Sequence, residues 1–280
     1  MFDLTTSQLS QMKSLLIPSL AALSLPAQAA NVIHYWDFEG TGGTELNDRV
    51  GSQNGTAVGT PVIGTVYGSA YAGSGNSLSQ TRGSLGNYIT VGSSGDFDFG
   101  TDDFAISFWY YDDQAGDGDN RQMRVLDSLN GTTTGISLGT NTSGLTCRFD
   151  DAGGGVVNAT PAFLPTNTWV HVSINVDRTN DLMTIYRNGT SYHTESLASL
   201  NFGIAATQPM EIGVINGGDS TGNADVQSGA LDDLAFYTGT LSTAQISGLA
   251  GGTLTPDQIP EPSSLLLLGF GGLGMLRRKR

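Results

Sequence analysis

Residues 167–189 read NTWVHVSINVDRTNDLMTIYRNG. Val170, Val172, Ile174 and Val176 alternate with Trp169, His171, Ser173 and Asn175. A period of two residues, with one apolar and one polar face, predicts a half-buried strand with His171 on its wet side. Residues 177–181 supply turn chemistry, and Leu182, Met183, Ile185 and Tyr186 then start a second strand that Asn188-Gly189 ends. The stretch is therefore a β-hairpin.

Working outward, the chain of 280 residues is 38% apolar and holds 39 glycines, which predicts short strands joined by many turns around one substantial core. The net charge is -14, and between the two end segments only seven basic residues remain, all arginine. A negative field without a basic stripe excludes nucleic-acid binding. Cys147 is the single cysteine, so neither an internal disulfide nor a multi-cysteine zinc site can form. It alternates with Leu145 and Phe149, as a buried apolar residue would.

Other segments repeat the alternating pattern: VIHYWDFE at 32–39, NYITV at 87–91, and Phe104, Ile106, Phe108 and Tyr110. Further on come Tyr186-Arg187-Asn188-Gly189, Glu211-Ile212-Gly213, LDDLAFY at 231–237 and LSTAQI at 241–246. In the last of these, Ser242 caps a short helix with Gln245 reaching back, and Leu241 and Ile246 stand where a hydrophobic staple joins. The order of a tryptophan strand, an N-G turn, an I-G strand, a D-D strand and a short helix resembles the laminin G-like, concanavalin A-like jelly-roll domains. The resemblance implies an all-β, two-sheet antiparallel sandwich over residues 30–252, with Trp36, Phe38, Phe108, Val170, Val172, Ile174, Ile212 and Phe236 buried. Residues 48–55 resemble a loop of the same family, from which Arg49 and Val50 depart. Relatives often hold a structural calcium ion, and the acidic positions that match are Glu39, Asp232 and Asp233.

Catalytic signatures are weak. Two segments fit G-x-S-x-G, at 135–139 and 218–222, but neither precedes the helix that a nucleophile elbow needs. No glutamate begins the E-x-D-x-x-E pattern of related glycosidases, and His34, His171 and His193 are dispersed. The acidic loop at 112–120 breaks the EF-hand pattern, because the twelfth position counted from Asp117 is Ser128. A solvated loop is the reading that fits.

Both ends carry addresses. An apolar run at 15–25 after Lys13, followed by Ala27-Gln28-Ala29, predicts a signal peptide over 1–29 that is cut after Ala29. Residues 253–259 read as a polar linker. Pro260, Glu261 and Pro262 then precede an apolar stretch at 265–276 and the basic residues 277–280. That stretch is short of the roughly 20 residues of a spanning helix. The tail resembles the PEP-CTERM sorting signal of Gram-negative bacteria, which implies transient engagement of the inner membrane and recognition by an exosortase-type protease. A short permanent anchor is the alternative.

Taken together, these features point to an exported, non-catalytic module of the cell surface or extracellular matrix that is structural or binds extracellular polysaccharide weakly. Tyr111, Asp112 and Asp113, at a strand end, are the candidate ligand contacts. The alternative is a secreted hydrolase whose carboxylates meet only in the fold.

Overall fold

The computed structural model describes residues 29–41, 43, 45–80, 87–92, 95–113, 123–129, 134–141, 144–161, 165–213 and 229–259. In chain order the strands are β1 (Asn31–Trp36), β2 (Thr56–Val58), β3 (Val62–Gly64), β4 (Ser77–Gln80), β5 (Tyr88–Val91), β6 (Phe104–Asp112), β7 (Met123–Asp127) and β8 (Gly135–Asn141). They continue as β9 (Gly144–Asp150), β10 (Val156–Ala159), β11 (Trp169–Asp177), β12 (Leu182–Arg187), β13 (Thr190–Ser196), β14 (Met210–Ile212) and β15 (Gly229–Thr238). Helix α1 (Thr243–Ala250) and a 3-10 turn at Pro256–Gln258 follow.

The hairpin expected from 167–189 is β11–β12, with Asp177 opposite Leu182 and Val172 opposite Arg187. Asn188 and Gly189 both take positive φ, 48° and 82°, as a two-residue hairpin turn between β12 and β13 requires. One sheet runs β13-β12-β11-β6-β15-β4-β3, with β1 also on β15; the other runs β10-β9-β8-β7-β14-β5-β2. The strand pairs within both sheets are antiparallel, and the two sheets form a jelly-roll sandwich.

The core lies between the sheets. Phe104, Ile106, Phe108 and Tyr110 of β6 enter it beside Val170, Val172, Ile174 and Val176 of β11 and the rings of Trp36, Phe97, Phe149 and Phe236. All eight residues expected to be buried are 1% exposed or less. Each such aromatic side chain removes a large apolar area from water, the main favourable term in folding.

The second face of β11 departs from expectation. His171, Ser173 and Asn175 are also buried, because α1 and residues 65–76 lie over the outside of the eight-stranded sheet. Asn175 donates to the Leu241 carbonyl and accepts from the Leu241 amide, at 2.8 and 3.0 Å, fixing the start of the helical segment. The Ser242–Gln245 capping box is present, and Leu241, Ile246 and Leu249 join Val32, Tyr35 and Tyr237 in a second apolar cluster. His171 is therefore not a surface residue: burial against Trp109 pushes its pKa down to about 3 and keeps the ring neutral.

Residues 253–259 are not a free linker. Leu254 and Ile259 pack into the second cluster, Pro256 is buried, and Gly252 lies against the ring of Tyr71. The folded unit thus extends to Ile259, whereas most of the expected signal peptide and the segment 260–280, with Pro260, Glu261 and Pro262, lie outside the described residues.

Candidate functional site

On β6 the residues that alternate with the core row, Ala105, Ser107, Trp109 and Tyr111, point to the outside of the eight-stranded sheet. The β6–β11 register sets Trp109 opposite His171 and Tyr111 opposite Trp169. Cover over this row thins toward the end of β6. Ala105 joins the cluster under α1, and Trp109 stacks with Tyr71 at 5.6 Å and is 7% exposed. Tyr111 and Trp169 are only partly buried.

There Tyr67, from the segment after β3, stacks on Tyr111 with centroids 4.7 Å apart, and Tyr111 meets Trp169 edge to face at 5.6 Å. Trp169 Nε1 donates to the Tyr67 carbonyl at 3.2 Å, and the Tyr67 hydroxyl donates to Asp113 Oδ2 at 2.5 Å. Burial and this bond raise the Tyr67 pKa, so the phenol stays neutral. The result is a fixed group of three partly exposed rings beside a carboxylate, a geometry that offers apolar faces to the C–H groups of a ligand and oxygens to its hydroxyls. Of the residues expected at this place, Tyr111 and Asp113 belong to the group. Asp112 does not present itself in the same way: it is 8% exposed and its backbone pairs with Gly229.

The three acidic residues assigned to calcium do meet, around residues 74–76. A bulge in β15 between Asp232 and Ala235 puts Asp233 at φ 49°, a conformation that aspartate tolerates better than most residues. Glu39 accepts the amides of Gly75 and Asn76. Asp232 accepts the Ser74 hydroxyl at 2.6 Å and the Asp233 amide at 2.8 Å, while Asp233 accepts the hydroxyls of Tyr35 and Tyr71. Burial raises the pKa of both aspartates, and the Asp233 charge raises Asp232 further. Their oxygens thus already face protein donors, and no group of three acidic, histidine or cysteine side chains among the described residues is placed to hold a metal ion. As arranged, these residues do not fit a calcium ion; they tie residues 71–76 to the first and last strands.

Other sequence candidates have structural roles. Asp48 accepts His34 Nδ1 at 2.7 Å and the amides of Tyr35, Val50, Gly51 and Gln53. Burial opposes its ionisation, but these donors outweigh burial and bring its pKa to about 2. Ser137 is 1% exposed inside β8, and Cys147 is fully buried, with its thiol pKa raised by that burial. The second G-x-S-x-G segment, and Asp117 and Asp119 of the acidic loop, lie outside the described residues.

Tyr67 and Trp169 were not among the expected contacts. Trp169 was legible as a residue of the polar row, and its place beside Tyr111 follows once the β6–β11 register is known. Tyr67 sits in a stretch without periodicity, and nothing in the sequence placed it.

Residues 82–247 match the family described as the concanavalin A-like lectin/glucanases superfamily, and residues 258–280 match the PEP-CTERM protein-sorting motif. That motif implies export, sorting to the cell envelope or surface of a Gram-negative bacterium, and processing by an exosortase-type system. No curated protein matches the chain. Among solved structures, the binding domain of Paraclostridial Mosquitocidal Protein 1 is similar with a TM-score of 0.64 at 17% identity, over 80% of this chain and 52% of that one. The botulinum neurotoxin serotype G binding domain gives 0.62 at 16% identity, over 80% and 51%. The chain therefore spans about half the length of these toxin domains. Domain 4 of AbnA, a GH43 extracellular arabinanase from Geobacillus stearothermophilus solved in complex with arabinotriose, gives 0.55 at 17% identity, over 80% of this chain and all of that domain. At these identities the likeness is one of fold.

Proposed function

Since the chain belongs to the concanavalin A-like lectin/glucanases superfamily, we propose that it is a non-catalytic, surface-sorted module that binds extracellular polysaccharide weakly through Tyr67, Tyr111, Trp169 and Asp113. The observation that carries this reading is the stacked and edge-packed ring group with Tyr67 bonded to Asp113 at the thinly covered end of β6. A ring held from behind by its neighbours loses little freedom when a sugar ring stacks on it, so weak contacts are not offset by ordering costs. The net charge of -14 favours neutral over anionic polymers.

Two features support the non-catalytic side. The raised-pKa aspartates sit under Ser74, Tyr35 and Tyr71 at 1% and 7% exposure and cannot reach a substrate. Among the described residues the ring group has Asp113 as its carboxylate, whereas glycoside hydrolysis needs two carboxyl groups flanking one bond.

Affinity electrophoresis of the full chain through gels containing host exopolysaccharide tests the proposal. Retention is expected for the wild type and should fall for Trp169→Ala and Tyr67→Ala with the melting temperature nearly unchanged. Wild-type mobility equal with and without the polymer would defeat it.

A further inference from the structure

The sandwich has a second concave region, on the edge where its two sheets end. β2 is the last strand of the seven-stranded sheet and β3 the last of the eight-stranded one, and residues 59–61 carry the chain from one to the other. Gly59, at φ 69°, makes the corner. Between this corner and residues 40, 41, 43, 45 and 46 lies an open cleft of about 830 Å³, lined among others by Glu45, Thr56, Ala57, Thr60, Ile63 and Asn76. That volume is in the range of small-ligand sites.

Its walls are fixed from outside. The Gly55 amide donates to the Leu46 carbonyl at 2.7 Å, the Thr60 amide to Asn87 Oδ1 at 2.9 Å, and the Asn76 amide to the Glu39 carboxylate. The Asn76 residue itself is partly buried and lines the cleft. Among the described residues, both terminal strands also leave one backbone edge without a neighbouring strand.

Among the described residues of the lining Glu45 is the one ionisable group, and one of its oxygens accepts the Gly43 amide at 2.9 Å. The lining therefore offers hydroxyls, a carboxamide and a carboxylate around the apolar patches of Ala57 and Ile63. Among the described residues it holds no cation for an anionic group, and no aromatic ring. That combination matches a neutral saccharide, whose rings present C–H patches edged by hydroxyls; a peptide's side chains would need deeper apolar pockets to be gripped.

We infer that this cleft is a second, ring-free binding site for a neutral saccharide chain, with Asn76 and Glu45 as its polar contacts. The inference rests on the carbohydrate reading of the domain but not on the aromatic group. Two weak sites on one rigid body raise retention on a polymer well above what either gives alone.

Amide chemical shifts of the isotope-labelled full chain, titrated with arabinotriose, xylotriose and cellotriose, separate the two claims. At least one trisaccharide is expected to move the amides of Thr56, Ala57, Thr60 and Ile63. Asn76→Ala combined with Glu45→Gln should weaken that response by about fivefold, the loss expected for a net hydrogen bond or two, and leave the response at Trp169 unchanged. Trp169→Ala should do the reverse. Movement at Tyr67 and Trp169 alone overturns the cleft and leaves the proposed function standing. Movement at the cleft alone keeps this inference and removes the aromatic site. Silence at both ends both claims. A cleft response to the extended peptide acetyl-Thr-Val-Thr-amide with none to the sugars also overturns the inference, making the cleft a peptide groove.

Discussion

The hydroxyl of Tyr35 donates to Oδ1 of Asp233 at 2.5 Å, linking the first strand to the last across 198 positions. Tyr71 donates to the same carboxylate, so one side chain at a bulge gathers β1, β15 and the segment covering the outer sheet face. Tyr35→Phe is expected to cost ~1–2 kcal/mol in urea unfolding, and Asp233→Ala ~2–3 kcal/mol, because the latter leaves the buried Tyr35 hydroxyl and the partly buried Tyr71 hydroxyl without this acceptor. Asp233→Asn keeps an acceptor and a residue that tolerates positive φ, and should match or exceed the wild type at pH 8. Wild-type stability in Asp233→Ala would show that these bonds do not hold the strands.

The pH profile follows from the same cluster. Asp232 and Asp233 have folded pKa values above the unfolded ones, so as pH rises past about 4 the unfolded chain releases protons that the fold retains, and stability declines toward alkaline pH. Asp48 works in the other direction: its pKa, lowered to about 2 from 3.8, contributes stability above pH 3.8 that is lost as pH falls toward 2. Thermal unfolding should therefore be latest near about pH 4–5. A melting temperature that climbs steadily from pH 5 to 8 would contradict this.

Calcium offers a separate check. With Glu39, Asp232 and Asp233 facing Gly75, Asn76, Ser74 and Tyr35, the melting temperature should be the same in chelator and in millimolar calcium. A rise on adding calcium would mean that these carboxylates turn away from their protein donors to take the ion.

Gly153 and Phe202 are coupled. A Cβ at position 153 would overlap the ring of Phe202, which is otherwise 56% exposed, and Asp151 pins both segments by accepting the amides of Gly153, Gly155, Asn201 and Phe202. Gly153→Ala should destabilise the fold by ~1–3 kcal/mol, as overpacking does, and Phe202→Ala should recover most of the loss. Additive effects in the double-mutant cycle would refute the contact.

Cys147 is 0% exposed, with its thiol pKa raised by burial, so the native chain should resist aromatic disulfide reagents and react with one equivalent once unfolded.

Much of this architecture was legible in the sequence. The β11–β12 hairpin, the core row of β6 and the Ser242–Gln245 cap each rest on local spacing that the final packing leaves intact. The wetness of the β11 polar row was not legible. Alternation separates two faces, but whether His171, Ser173 and Asn175 meet water depends on α1 and residues 65–76, which arrive from far along the chain. The aromatic group was half visible for the same reason. Tyr111 and Asp113 stand at a recognisable strand end, whereas Trp169 joins them through register and Tyr67 through a loop with no pattern. The meeting of Glu39 with Asp232 and Asp233 followed from pairing the first strand with the last; several of the donors on their oxygens come from residues 71–76, a stretch without periodicity.

The pairing of β1 with β15 also sets an order of events. Ala30 is 0% exposed and Ala29 is bridged to Thr240, while a protease needs several extended, accessible residues around the bond it cuts. In the folded chain Ala30 is covered, and the strand that pairs with β1 is β15, whose residue Tyr237 lies some two hundred positions later. Were the chain cut after Ala29, as its sequence predicts, completion of the sheet would be a deadline for that cut, because β15 then holds β1 in place.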